Sequence, residues 1–291
     1  MKKLSELINL IDRTRLKRLA IINANDKELL EVLNEAEEKN LISSILIGDK
    51  NKIKNTIKQN GLNIAEDKII DGDVNTALSL IKENKVDFIM KGNISTDDLM
   101  REVLKCLDKK TLLSHVMIYE IPKHHKLLIL TDGGLNPYPK LNQKVDIINN
   151  SVRVSKKLGV NLPKVAVLSA TEKVSEKIES TTHGALLSIM NRRGQIKDCI
   201  IEGPLALDNA ISKISANKKN INSEVSGDAD ILIVPNFEAG NLLGKAITYF
   251  GNGVGAGVIV GGDFPIILNS RASTREEKLY SIILGIILLK E

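Results

Sequence analysis

The chain has 291 residues, 43% of them hydrophobic and 26% charged, which is enough for a sizeable core and for two domains. Its net charge of +5 is spread over many lysines, and with no Trp, four Phe and four Tyr it lacks the stacking platforms of single-strand nucleic-acid binders. No apolar run reaches the roughly 18–20 residues of a membrane span, and two cysteines, Cys106 and Cys199, give neither a disulfide framework nor a zinc spacing. Both cysteines read as small buried hydrophobes in a protein of the reducing cytoplasm. The positive balance suits a small anionic ligand, and a solvated lysine surface accounts for it equally well.

Residues 3–13 read as an amphipathic helix, with acidic and polar residues where a signal peptide would carry its apolar stretch. Residues 19–23 read as a strand. Ala-Asn-Asp then caps a helix running to about Lys39. Residues 42–47 form the next strand, followed by a Lys/Asn-rich helix, a short strand at 68–70, a helix at 74–83 and a strand at 86–90. Short apolar runs alternating with helices of about ten residues indicate βαβ units and a parallel sheet. The rhythm breaks at residue 112. Runs 112–121 and 126–131 are joined only by Pro122-Lys-His-His125, and so short a connection makes them antiparallel. A mixed sheet and a second domain are expected from there. A helix at 140–158, a strand at 164–169 and a helix-rich stretch to Met190 follow. Two strand–loop–helix units come next, 200–211 and 229–246, with each strand expected to stop at a proline. A strand at 257–261, a short apolar run at 265–268 and a final helix at 274–289 complete the chain.

Three near-motifs are set aside. Gly240-Asn-Leu-Leu-Gly244-Lys245-Ala246 is one residue shorter than a P-loop and lacks the Ser/Thr that would hold magnesium. Gly251-Asn-Gly253-Val-Gly255-Ala-Gly257 follows a helix and opens a strand, the reverse of a dinucleotide fingerprint, and reads as a flexible turn. His124 and His125 read as a solvated turn, and no His/Cys spacing suits a metal. The motifs that remain are loops at strand ends, where ligands of open α/β sheets bind. In the first, Lys91-Gly92-Asn93-Ile94-Ser95-Thr96, a glycine turns the backbone, and Ser95 or Thr96 caps a helix. Amides and hydroxyls there can hold an anion, with Lys91 adding charge. Arg101 lies more than one helical turn further on. The second, Thr131-Asp132-Gly133-Gly134-Leu135-Asn136, is a turn signal. The third, Asn269-Ser270-Arg271-Ala272-Ser273-Thr274, leads into a helix with Glu276 and Glu277 in its first turn, and Arg271 there can clamp a phosphate beside the Ser270 hydroxyl.

Several blocks recur together in one order: Lys91-Gly-x-x-Ser-Thr-x-Asp-x-x-Arg101, Ser114-His-Val-x-x-x-Glu-Ile-Pro122, Thr131-Asp132 with Asn136, Glu202-Gly-Pro-Leu-Ala-Leu-Asp-Asn-Ala-Ile211, Ala229-Asp-Ile-Leu-x-Val-Pro235 with Glu238-Ala-Gly-Asn241, and Ser270-Arg271. In this the chain resembles the phosphate acetyl/butyryltransferase family, strongly over residues 85–291 and only in βαβ rhythm before that. Gly-Pro-Leu-Ala-Leu-Asp-Asn-Ala is similar to the butyryl branch.

The resemblance implies an α/β protein of two α/β/α domains with a cleft between them, like the isocitrate/isopropylmalate dehydrogenases. Residues 1–111 and 262–291 would form a discontinuous first domain, and 112–261 a second that carries the contacts of a homodimer or higher even oligomer. It implies reversible transfer of a short acyl group, butyryl by the nearer branch, between coenzyme A and inorganic phosphate. Acyl-CoA, CoA, phosphate and acyl phosphate would be the substrates, with no cofactor, metal, nucleic acid or membrane partner. By position, Ser270 and Arg271 would sit beside the reacting carbonyl and phosphate. Glu277 falls at the spacing of a thiol-deprotonating aspartate of the acetyl branch. Lys91, Gly92, Ser95, Thr96, Arg101, Asp132, Asn136 and Asn241 would bind substrate. Two other readings stand beside this one. A metal- and NAD-dependent hydroxy-acid dehydrogenase of the same fold would need carboxylate ligands and a nicotinamide site, and neither pattern is found. The other is a non-catalytic CoA or acyl-phosphate binding protein.

Overall fold

The computed structural model describes residues 1–108, 111–270 and 272–289. The chain divides into two compact units, one of residues Leu7–Thr111 and Ala256–Glu291 and the other of Met1–Glu6 and Leu112–Gly255, called here the first and second unit. The expected N-terminal helix is a 3-10 segment, Leu4–Leu10. Its buried Leu4 and Leu7 are spaced three apart, as a three-residue turn requires, and Glu6 takes up the N–H groups of Lys2 and Lys3 at 3.2 and 2.9 Å.

The first unit begins with β1 (Lys17–Ile22), α1 (Lys27–Glu38), β2 (Ile42–Gly48), α2 (Lys50–Gln59), β3 (Ile69–Asp71), α3 (Val74–Lys82), β4 (Phe88–Lys91) and α4 (Thr96–Cys106). Each helix starts where the sequence offers a short polar acceptor: Asp26, Asp49, Asp73 and Ser95 all accept from first-turn amides. Leu19–Ile22 of β1 and Phe88–Met90 of β4 are fully buried, the continuous apolar pattern of strands covered on both faces.

The second unit follows with β5 (Ser114–Glu120), β6 (Leu128–Thr131), α5 (Leu141–Lys157), β7 (Lys164–Leu168), α6 (Glu179–Arg192), β8 (Ile200–Leu205), α7 (Leu207–Ile211), α8 (Lys213–Lys218), β9 (Ile231–Ile233) and α9 (Phe237–Tyr249). The chain returns to the first unit within β10 (Val254–Val260) and ends with β11 (Ile266–Ile267) and α10 (Arg275–Ile287). The first unit orders its strands β3-β2-β1-β4-β11-β10, parallel except where β10 meets β11. The second orders them β5-β6-β9-β7-β8, with β5 antiparallel to β6 as the short 122–125 connection demands and the others parallel.

Four expectations need correction. β8 runs through Pro204 to Leu205 instead of stopping at the proline. β8 is at an edge of the sheet, and its register with β7 shifts between Ala166–Glu202 and Leu168–Leu205, where a residue without an N–H is accommodated. The glycine run is not all turn, because β10 starts at Val254 and takes in Gly255 and Gly257. Cys106, the last residue of α4, is exposed, whereas Cys199 is buried. The histidine pair is not simply solvated. His125 Nε2 lies 2.9 Å from Asp228 Oδ1, and burial holds the half-buried His124 imidazole below its usual pKa.

One ion cluster carries a pH dependence. The Asp87 side chain, only 11% exposed, accepts from Arg18 N at 2.7 Å, Arg18 Nη2 at 2.9 Å and Arg15 Nη2 at 3.0 Å. Burial alone would raise its pKa, but the Arg18 and Arg15 hydrogen bonds outweigh that and hold it at about 2 against the ordinary 3.8. A depressed folded pKa stabilises above the unfolded value and loses that contribution as pH falls through the folded one. About 2 kcal/mol of stability should therefore vanish between about pH 4 and pH 2. In urea unfolding across that range, Asp87→Asn should be less stable at pH 5 and should flatten this part of the profile.

Candidate functional site

In the first unit the sequence motifs gather at the carboxyl ends of two adjacent strands. β4 lies beside β1, and Gly92 N and Asn93 N extend that ladder onto Ile22 O and Asn23 O at 2.8 and 2.9 Å. A Cβ at Gly92 would stand 2.5 Å from Ile22 O and 2.6 Å from Asn23 O, so only glycine allows the approach. Gly92→Ala should therefore cost about 1–3 kcal/mol, because the clashing atoms are backbone. A thermal-unfolding midpoint equal to that of the parent would refute the close approach. Lys91 is 8% exposed, and its Nζ lies 3.4 Å from Gly92 O.

Ser95 is the cap of α4. Its Oγ accepts from Asp98 N at 3.0 Å and donates to Asp98 Oδ2 at 2.6 Å, while Thr96 opens the helix. Arg101 turns back along the helix surface to Asp98 Oδ1 at 3.1 Å and is exposed. The Ser95 hydrogen bond, then Arg101, holds the Asp98 carboxyl below its usual pKa.

Ile267 of β11 is in register with Met90 of β4, so residues 268–270 leave the sheet next to residues 91–96. Ser270 is exposed and starts a turn: its Oγ accepts from Ala272 N at 3.2 Å and its carbonyl from Ser273 N at 3.1 Å. Arg271 lies outside the described residues. Glu277 closes a capping box with Thr274. Its Oε2 accepts from Thr274 N at 2.8 Å, and Thr274 Oγ1 accepts from Glu277 N at 3.2 Å. Behind the turn, fully buried Ser281 accepts from Gly257 N and from Asn269 Nδ2, both at 3.0 Å, and so anchors the residue before Ser270 to β10 and α10.

In the second unit Asp132, Asn136 and Asn241 come together beyond β6. Asp132 is 2% exposed, and both carboxylate oxygens face inward onto donors: Oδ1 onto Gly134 N and Leu135 N at 3.0 and 2.9 Å, Oδ2 onto His115 N and Asn136 Nδ2 at 3.0 and 2.6 Å. Asn136 Nδ2 also donates to Leu113 O at 2.8 Å. Gly133 packs on Gly240 of α9 so closely that a Cβ on either would come within 2.6 Å of the other's backbone, and Asn241 Nδ2 reaches Gly133 O at 3.4 Å. The near-P-loop lies inside α9, not in a loop.

Sequence reasoning assigned no role to two groups in this unit. The antiparallel register of β5 and β6 sets His115 opposite Asp132, and its ring fills the space that a Gly134 Cβ would take, 2.1 Å from Nδ1. Both ring nitrogens are buried without a hydrogen-bond partner among the described residues. Burial holds this imidazole below its usual pKa, with Asp132 opposing. Lys144 on α5 is 2% exposed, its Nζ 3.2 Å from His183 Nδ1, and burial pulls its pKa down against the raising effect of Glu179. The His115 signal was a polar residue at the start of a strand bordering a turn motif. Lys144 left none, because a lysine in a helix is ordinarily a surface residue. Among the described residues, no group of three or more His, Cys, Asp or Glu could hold a metal, and no helix is long and apolar enough to cross a membrane.

Comparison with known proteins places these blocks in context. The family model described as "Phosphate acetyl/butaryl transferase" matches residues 65–286. A phosphate butyryltransferase of Clostridium acetobutylicum is 37% identical over 98% of this chain and 97% of its own length. The crystal structure of a branched-chain phosphotransacylase from Enterococcus faecalis V583 superposes with a TM-score of 0.81 at 29% identity, covering 94% of this chain and 99% of that one. A 4-hydroxythreonine-4-phosphate dehydrogenase from Burkholderia phymatum shares the fold alone, with a TM-score of 0.57 at 13% identity over 96% of this chain and 100% of that one, and bears out the dehydrogenase-like expectation. With most of its length matched by one family model and by a full-length relative well above 30% identity, the chain belongs to the phosphate acetyl/butaryl transferase family.

Proposed function

We propose that the protein is a phosphate acyltransferase that moves a short acyl group reversibly between coenzyme A and inorganic phosphate: acyl-CoA plus phosphate gives acyl phosphate plus CoA. The observation that carries this reading is the family match over residues 65–286, which takes in every residue assigned to the site. Butyryl is the proposed acyl group, supported by residues 203–210 and by the resemblance to a phosphate butyryltransferase over almost the whole chain. No cofactor takes part. The active form is a homodimer or higher even oligomer in the cytoplasm, joined through residues of the second unit.

In the forward direction a phosphate oxygen attacks the thioester carbonyl, negative charge collects on the carbonyl oxygen, and the CoA thiolate leaves. Both the attacking phosphate and the oxyanion need fixed donors or cations. Arg271 and the Ser270 hydroxyl are assigned to the carbonyl and phosphate. The amides and hydroxyls of residues 92–96, with Lys91 and Arg101, hold phosphate at the start of α4. In the reverse direction CoA must lose its thiol proton. A thiol with a pKa of about 8.5 is mostly protonated at pH 7, so a base is needed, and Glu277 is assigned to it. Asp132, Asn136 and Asn241 shape the loop of the second unit that meets substrate.

Thiol release from butyryl-CoA tests the proposal. Release should require phosphate and should be faster with butyryl-CoA than with acetyl- or longer acyl-CoAs. Phosphate-independent release, or none across the panel, would refute acyl transfer to phosphate. A preference for acetyl-CoA would overturn the butyryl assignment alone.

A further inference from the structure

The second unit carries a groove that the proposed reaction does not use. It lies along the C-terminal half of α5 and the connection from α6 to β8, lined by Arg153, Lys156, Lys157, Gln195, Lys197 and Asp198. Its volume is about 640 Å³, within the roughly 300–1,000 Å³ of small-molecule sites. Arg153 stands roughly 18 Å along α5 from its first residue. The groove borders the chain entering β8, whereas the Asp132 loop follows the carboxyl end of β6.

Its charges are unbalanced. The lining holds one carboxylate, Asp198, and Lys156 already holds it at 3.2 Å, which leaves none in the groove for Arg153 and Lys197. Lys156 and Lys157 need no special account, because they fall in the last turn of α5, where cations offset the helix dipole. Arg153 and Lys197 do need one. Neither pairs with a carboxylate among the described residues. Arg153 Nη2 donates instead to the neutral Asn150 Oδ1. Asn150 is 4% exposed and is itself fixed by Nδ2 bonds to Leu112 O at 3.0 Å and Ser114 Oγ at 2.8 Å. A buried amide thus orients the guanidinium without neutralising it. A fixed planar fork suits phosphate oxygens, Gln195 adds a neutral donor, and a concave surface of one sign concentrates counter-ions.

We infer that this groove binds a phosphate-rich anion of nucleotide size, gripped by Arg153 and Lys197. The inference does not rest on acyl transfer, and its test uses no acyl-CoA. Isothermal titration of the full chain at about 0.15 M ionic strength would compare ATP, inorganic tripolyphosphate and adenosine. Sub-millimolar binding of ATP and tripolyphosphate, but not adenosine, is the expected result. Tripolyphosphate without ATP would assign the groove to an inorganic polyanion. The double variant Arg153→Ala, Lys197→Ala should weaken binding at least tenfold, and Lys197→Ala alone should also weaken it with no shift of the unfolding midpoint, since the Lys197 side chain is exposed and the Arg153–Asn150 hydrogen bond is kept. Absence of binding by both phosphate probes would overturn the inference. So would equal binding by the double variant, since the anion would then sit elsewhere, or binding of adenosine as tight as ATP, since the base and not the phosphates would be recognised.

Discussion

Asp132→Ala should destabilise the second unit by at least about 3 kcal/mol. Hydrogen bonds to a charged group contribute about 1.5–3 kcal/mol each, and a buried donor left unpaired costs about 1–3 kcal/mol. Four donors converge on this carboxylate: three backbone N–H groups and the Asn136 amide. Contributions within one network are not additive, so the figure is a floor set by one or two of them. Asp132→Asn should be almost as damaging, because one of its two positions would present an NH2 group to donors. The lost bonds belong to one loop, so the readout is hydrogen exchange at His115, Gly134 and Leu135. Faster exchange at all three is expected in both variants. Unchanged protection would mean that the Gly133–Gly240 contact holds the loop alone. A carboxylate has about four acceptor positions, and here all are occupied. Asp132 therefore acts on the loop it shapes, and it keeps the His115 backbone beside that loop.

The parts of this structure legible in the sequence are those where one physical requirement dominates. Strands β1 and β4 are buried on both faces along Leu19–Ile22 and Phe88–Met90, so they appear as apolar runs, and short acceptors at Asp26, Asp49 and Ser95 mark helices that follow strands. The antiparallel start of the second unit followed from connection length alone. Illegible were features set by partners distant in sequence. Pro204 lies inside β8 where that edge strand also shifts its register against β7, between the partners Ala166–Glu202 and Leu168–Leu205, and both are properties of the sheet. Gly255 and Gly257 read as turn residues until the space they occupy is known: a Cβ on Gly255 would stand 2.9 Å from Tyr119 Cε1. The apolar spacing of Leu99 and Val103 extends to Cys106, but α4 ends there and the residue stays exposed. In the candidate site, spacing singled out residues 91–96, 132–136 and 270–277 because strand ends and caps leave local signals. His115 and the Lys144–His183 pair depend on register and helix packing, which no window of sequence displays.

Glu277→Gln should preserve the fold and lower acyl transfer from acyl phosphate to CoA by about a hundredfold or more, the scale of a lost general base. The substitution separates two roles. Glutamine at the third helical position can still accept from the Thr274 N–H, so the capping box and the start of α10 survive. What it removes is basicity. In the direction that consumes CoA, the thiol proton must then go to solvent, and the reaction depends on the fraction already ionised. That fraction rises with pH toward the thiol's own pKa of about 8.5. The deficit of the variant should therefore be largest near pH 6–7 and should narrow by pH 9, while its unfolding midpoint stays with the parent's. On the proposed assignment of Arg271 to the phosphate, Arg271→Ala would not show this recovery, because added thiolate cannot replace a cation. A Glu277→Gln enzyme with the parent's rate at pH 7 would move the base to another group. Glu276 would be the next to test, its carboxylate accepting from Tyr280 Oη at 3.0 Å on the same turn of α10.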